Sequence, residues 1–123
     1  MRILVTGSRH WDNPERMRAM LKRIDATFPD EEFTLVHGNT LGADKEAEAI
    51  AKELGWEVEP HPADWKTYGR AAGPVRNAEM VALGADFCIG FPTPFSIGTY
   101  DCMEKARKAG IKVIDLGEKV WDG

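Results

Sequence analysis

Four short segments of this chain carry residue types suited to holding an anion. They are Thr6-Gly7-Ser8-Arg9, Gly38-Asn39-Thr40-Leu41-Gly42, the stretch from His61 through Gly73 into Arg76-Asn77, and Phe95-Ser96-Ile97-Gly98-Thr99. Glycine lets a backbone approach a phosphate with no Cβ in the way, and serine or threonine adds a hydroxyl donor. Gly7, Gly38, Gly42 and Gly98 supply the first property; Ser8, Thr40, Ser96 and Thr99 supply the second. Asn39 and Asn77 add amides, and Arg9, Arg70 and Arg76 are candidates for bidentate, charge-assisted contacts. Any one of these glycine turns is also what a tight turn requires by itself. Their joint occurrence points to a phosphate-bearing ligand.

Other chemistries fit less well. The first apolar run is followed by Thr-Gly-Ser-Arg-His-Trp rather than G-x-G-x-x-G, and no G-x-x-x-x-G-K-[ST] occurs. An ordinary dehydrogenase or P-loop ATPase is therefore disfavoured. His10, His37 and His61 are scattered, with no metal-ligand spacing, so neither a metal nor a cofactor is expected. Ser8 or Ser96 as a nucleophile lacks an assignable base and orienting acid. Asp44, Glu46 and Glu48 open a predicted helix, where acids serve the dipole; Asp44 is also near enough to the Gly42 turn to face the site. Asp64 admits two roles, accepting from a ribose hydroxyl or closing a local turn. Trp65 and Tyr68 either stack on a base or pack the chain onto a sheet edge. Trp11 carries the same ambiguity, while Trp56 and Trp121 are expected to be structural.

The elements that must position these residues alternate. Apolar runs at Ile3–Val5, Phe33–Val36, Trp56–Val58, Phe87–Ile89 and Val113-Ile114 read as five strands. Asn13-Pro14 starts a helix whose Met17, Leu21, Ile24 and Phe28 recur at helical spacing. A second helix spans Ala43–Leu54 with Gly55 as its cap. A third opens at Pro74, and a fourth takes up Thr99–Ala109. Between them His61–Gly73 reads as a loop of unusual length. The order β-α-β-α-β-loop-α-β-α-β implies a doubly wound parallel sheet with helices on both faces. Open sheets of this kind bind ligands at the carboxyl ends of their strands, which is where all four segments fall.

The totals agree with one globular domain over residues 1–123. The 123 residues are 43% hydrophobic and 29% charged, an ordinary mix for a packed core. With 20 acidic and 16 basic residues and a formal charge of −4, polymeric nucleic acid is a poor partner. Cys88 and Cys102 read as buried thiols of a reducing compartment. No stretch has the length of a membrane span or the pattern of a leader, so a cytoplasmic location is expected.

Several ordered motifs resemble one family. They are Thr6-Gly7-Ser8-Arg9-x-Trp11, His37-Gly38-x-x-x-Gly42-Ala43-Asp44, His61-Pro62-Ala63-Asp64-Trp65, and Gly69-Arg70-Ala71-Ala72-Gly73-Pro74-x-Arg76-Asn77-x-x-Met80. Together they resemble the YspA-like branch of the SLOG superfamily, which groups DprA/Smf proteins with LOG-type phosphoribohydrolases. The resemblance implies a Rossmann-like fold that binds nucleotides or nucleotide-derived ligands, and self-association into a dimer or larger homo-oligomer. LOG-type enzymes carry an arginine before a helix and a P-G-G-x-G-T-x-x-E turn. Arg76 and Gly98-Thr99 match, whereas Pro94-Phe95-Ser96 stands where P-G-G would be and Cys102 takes the place of the catalytic glutamate.

Two functions follow from the resemblance. In one, the chain senses, carries or sequesters a nucleotide-like ligand whose phosphates sit on the Gly42 and Gly98-Thr99 turns. In the other it is a LOG-like phosphoribohydrolase or N-glycosidase acting on a nucleoside monophosphate or NAD-related nucleotide. Arg76 would then orient the phosphoribosyl group, and Asp101 or Glu104 would stand in as the acid. Binding is favoured, because catalysis needs a placed acid and binding does not.

Overall fold

The computed structural model describes residues 1–117, so Trp121 lies outside the described residues. Strands β1 (Arg2–Gly7), β2 (Thr34–His37), β3 (Glu57–Pro60), β4 (Phe87–Phe91) and β5 (Lys112–Asp115) form one sheet in the order β3-β2-β1-β4-β5. Every neighbouring pair is parallel. Helices α1 (Pro14–Thr27), α2 (Ala43–Glu53), α3 (Trp65–Tyr68), α4 (Ala72–Ala82) and α5 (Ile97–Lys108) surround it. The doubly wound α/β architecture expected from the alternating pattern is the one observed.

Strand periodicity builds two apolar layers. Ile3, Val5, Ile89 and Phe91 pack with Met17 and Leu21 of α1 and with Ala47 and Ile50 of α2. Leu4, Val36 and Cys88 point the other way, onto Met80 of α4 and Met103 and Ala106 of α5. Successive side chains of a strand face opposite sides, so a strand buried on both must be apolar throughout. That is why Ile3-Leu4-Val5 shows no alternation.

The ends of the elements follow local chemistry. Asn13 accepts from the Arg16 amide at 3.1 Å and Pro14 fills the first helical position, fixing the start of α1. Trp11 is core: its ring meets Phe91 edge-on at 5.1 Å, and its Nε1 donates to the Asn13 carbonyl at 2.9 Å. Trp56 is structural, stacking on Phe33 at 4.6 Å and donating to Asp25 at 2.8 Å. Pro60 is tolerated because β3 is an edge strand.

The long loop does not exist as such. Asp64 accepts from the Thr67 amide at 3.1 Å and caps α3; a 3₁₀ turn over Gly69–Ala71 leads directly into α4. Pro74 is the third residue of α4 instead of its opener. The first turn of a helix has no internal acceptors for its amides, so a missing N–H there removes nothing. Trp65 and Tyr68 stay exposed, at 59% and 47%.

A polar strap steadies this region. Arg2 grips both carboxylate oxygens of Glu59 at 2.9 and 2.8 Å, and Glu59 also bonds His61 at 2.7 Å. The guanidinium and the imidazole hold the Glu59 carboxyl down at about 2.

Candidate functional site

A cavity of about 540 Å³ opens where the chain order reverses, between the carboxyl ends of β1 and β4. This is the place where open α/β sheets hold ligands, and the size suits a small molecule. Its wall runs through Thr6–His10, Gly38, Thr40, Asp44, the α4 residues Arg76, Asn77 and Met80, and the segment Thr93–Thr99. Gly7, Ser8, Arg9, Gly38, Thr40, Asp44, Arg76, Asn77, Ser96, Gly98 and Thr99 are thus brought together from distant parts of the chain. Asn39, Gly42, Asp64, Arg70, Asp101 and Glu104 do not line it.

Ser8 ties the first wall together. Its amide donates to the Phe91 carbonyl at 3.0 Å, and its hydroxyl accepts from Thr93 at 2.7 Å and from the His10 amide at 2.9 Å. Its carbonyl accepts from Ala43 at the start of α2 at 3.1 Å. The residue joins β1, β4 and α2, which suits a scaffold better than a nucleophile.

The turn after β2 is wired inward. Asp44 Oδ2 accepts from the Gly38 amide at 3.1 Å, the Thr40 amide at 3.3 Å and the Thr40 hydroxyl at 2.8 Å. The amides expected to cradle a phosphate are therefore already occupied by a carboxylate of the chain itself. Asn39, at φ 60°, donates its amide to His37 Nδ1 at 2.9 Å and accepts from Lys45 at 2.7 Å. Because Nδ1 accepts from that amide, the imidazole proton lies on Nε2, which donates to Glu48 at 2.9 Å. Gly42, at φ 80°, sits so close to the Arg9 backbone that a Cβ would collide with it. Its glycine serves packing, not ligand approach.

Arg76 closes the floor. Its guanidinium is buried, with Nη1 donating to the carbonyls of Gly38 and, at 3.3 Å, His61, and Nε donating to Asn77 Oδ1 at 2.9 Å. A side chain at Gly38 would strike this guanidinium. Asn77 in turn donates to the Gly98 carbonyl at 3.1 Å, which fixes the start of α5.

That start is open. Ile97 and Tyr100 donate their amides to Phe95 and Ser96, whereas the amides of Gly98 and Thr99 have no acceptor among the described residues. The Ser96 hydroxyl bonds Thr99 at 2.7 Å beside them. Phe95 adopts φ 66° and is 96% exposed, so the turn keeps a glycine-type conformation with a phenylalanine in it. A Cβ built on Gly98 meets nothing.

The acids proposed from sequence lie elsewhere. Asp101 is held by Asn77 at 3.1 Å and Lys105 at 2.6 Å, and exposed Glu104 pairs with Arg107 at 3.6 Å. Cys102, in the place of the motif glutamate, is fully buried in the core. The contact with Cys102, together with burial, pushes the Cys88 thiol far up. Among the described residues, Asp44 is the one carboxyl lining the cavity. Burial raises its pKa; the Thr40 bonds and the charge of Arg76 oppose that shift. No cluster of His, Cys, Asp or Glu suited to a metal occurs among the described residues.

Thr6, Phe95 and Ile97 line the cavity within segments the sequence points to, whereas His10, Met80, Thr93 and Pro94 are lining residues that sequence reasoning passes over. Thr93 and Pro94 carried a signal, since Pro92-Thr93-Pro94 must break the chain just after β4.

Fold and cavity together define an open α/β protein with a ligand-sized site at the switch point of its sheet. The YAcAr family (YspA, cpYpsA-related SLOG family) matches residues 1–68. The chain is 42% identical to the Gene 61 protein of Mycobacterium phage D29 over 124 residues, covering 96% of this chain and 98% of the phage protein. Its fold is similar to the X-ray structure of TM1055, with a TM-score of 0.66 at 15% identity, over 91% of this chain and 71% of that one. The chain belongs to the YspA, cpYpsA-related SLOG family. No helix among the described residues is long and apolar enough to cross a membrane.

Proposed function

We propose that this chain binds a nucleotide or nucleotide-derived, phosphate-bearing ligand in the cavity between β1 and β4, and so senses, carries or sequesters it. The observation that carries this reading is the start of α5. Two amides with no acceptor among the described residues and two hydroxyls meet there, at a helix end whose dipole favours an anion. The β2 turn, with its amides already taken by Asp44, leaves the phosphate to the Gly98-Thr99 side.

Hydrolysis of an N-glycosidic bond is the second reading, and one observation bears on it. A general acid must reach the bond it protonates, and Asp44 is the carboxyl in the cavity, so Asp44 replaces Asp101 and Glu104 as the residue to vary.

Self-association belongs to the same proposal. Phe95 and Ile97 line the cavity and are 96% and 81% exposed, and Leu41 beside Thr40 is 74% exposed. A second copy of the chain would cover such a margin. Sedimentation at rising concentration tests this, and a monomer throughout overturns it.

The ligand is tested with nucleoside monophosphates, ADP-ribose, NAD and cyclic nucleotides, reading melting temperature and released base from the same samples. A ligand that binds only the folded state raises the melting point by mass action. A rise without released base is the expected result. Released base makes the chain an enzyme, and silence in both channels overturns the ligand class.

A further inference from the structure

We infer that Asp44 Oδ1 is a subsite for a neutral hydroxyl of the ligand's sugar. This rests on the reading that the ligand is a phosphorylated sugar or nucleotide, and it assigns the part of that ligand which the α5 start leaves unaddressed.

The two oxygens of Asp44 are unequal. Oδ2 takes three donors from Gly38 and Thr40 and is saturated. Oδ1 is buried and has no hydrogen-bond partner among the described residues, in a side chain that lines the cavity and is only 3% exposed. An orphaned carboxylate oxygen in so confined a place is unfavourable unless a donor reaches it. The cavity is the side from which a ligand would bring one.

Charge selects the kind of donor. Gly38 gives its N–H to Asp44 and its carbonyl to Arg76, so carboxylate and guanidinium straddle one residue. Arg76 already stands beside the carboxylate, and a ligand cation would meet that guanidinium at close range. A phosphate would meet the carboxylate. A hydroxyl carries neither penalty and supplies the missing proton, which places sugar hydroxyls at Asp44 and the phosphate at Gly98-Thr99. A ligand without that hydroxyl leaves Oδ1 unpaired in the complex, and such sites discriminate strongly.

The test titrates inorganic phosphate, ribose 5-phosphate and its 2-deoxy and 3-deoxy forms into the whole protein and into Asp44→Asn by calorimetry. Asparagine keeps one oxygen for Gly38 and Thr40 and replaces the orphaned acceptor with a donor. The expected result is that the wild type prefers ribose 5-phosphate over at least one deoxy form by about tenfold or more. In Asp44→Asn that ratio collapses, while inorganic phosphate binds both proteins alike. Equal affinities for the three sugar phosphates overturn the subsite and leave the phosphate reading standing, as does a ratio that survives in Asp44→Asn. Failure of every phosphate to bind overturns the underlying reading itself. If Asp44→Asn does not fold, the wild-type comparison among the sugars decides alone.

Discussion

The turns after β2 and β4 each hold a non-glycine residue at positive φ, Asn39 at 60° and Phe95 at 66°. Both lead into a helix beside the cavity, and both are rich in hydroxyl and glycine residues. The β2 turn spends its polar groups on the protein: Asp44 collects its amides, His37 holds Asn39, and Lys45 caps the asparagine side chain. The β4 turn leaves the amides of Gly98 and Thr99 without an acceptor among the described residues, beside an exposed aromatic ring. Asparagine visits the left-handed region with little strain, whereas phenylalanine does so at a cost of roughly 1–2 kcal/mol. A turn that is satisfied internally is scaffold; one that is strained and unsatisfied is the better candidate for ligand contact.

Substitution of the glycines separates the two turns most widely. Gly42→Ala places a Cβ against the Arg9 backbone at a left-handed position and is expected to cost about 2–3 kcal/mol in urea denaturation. Gly98→Ala meets open space, so stability should hold or rise by up to about 1 kcal/mol while affinity for a phosphate ligand falls. Similar stability losses at both positions would erase the contrast.

Phe95→Gly sharpens it from the other side. Relief of the positive φ should raise stability by about 1 kcal/mol, seen as a higher melting temperature, together with weaker binding of the nucleotide ligand. A stability gain with unchanged affinity would make Phe95 irrelevant to the site.

The smallest effect is electrostatic. Burial raises the Asp44 pKa above the ordinary 3.8, so the folded state holds that proton more tightly than the unfolded chain. This group's stabilising share is complete below 3.8 and is lost as pH rises through the raised folded value. Asp44→Asn should therefore gain melting temperature relative to wild type on going from about pH 3 to about pH 8. A difference that stays flat with pH would mean that the carboxylate carries no burial penalty.

Much of the fold was legible because it depends on patterns a short window contains. Apolar runs, Asn13-Pro14 and the glycines after the helices set the order of elements, and that order sets a parallel, doubly wound sheet. The His61–Gly73 stretch is illegible for the opposite reason: Gly69, Gly73 and Pro74 look like breaks, yet a helix start accepts proline and Asp64 caps a helix of four residues, too short to show a period. At the site, residue types suited to an anion were visible at each strand end, and most of them do line one cavity.

What the sequence determined by itself was the inventory and its approximate location: strand ends, helix starts, one arginine and a few hydroxyls, all fixed by local chemistry. Only the tertiary structure decided which of those groups are spent. Whether an amide is free depends on which distant side chain reaches it, and whether Asp44, Asp101 or Glu104 faces the cavity depends on helix rotation against the sheet. Those are properties of packing between elements, and no single segment of the chain encodes them.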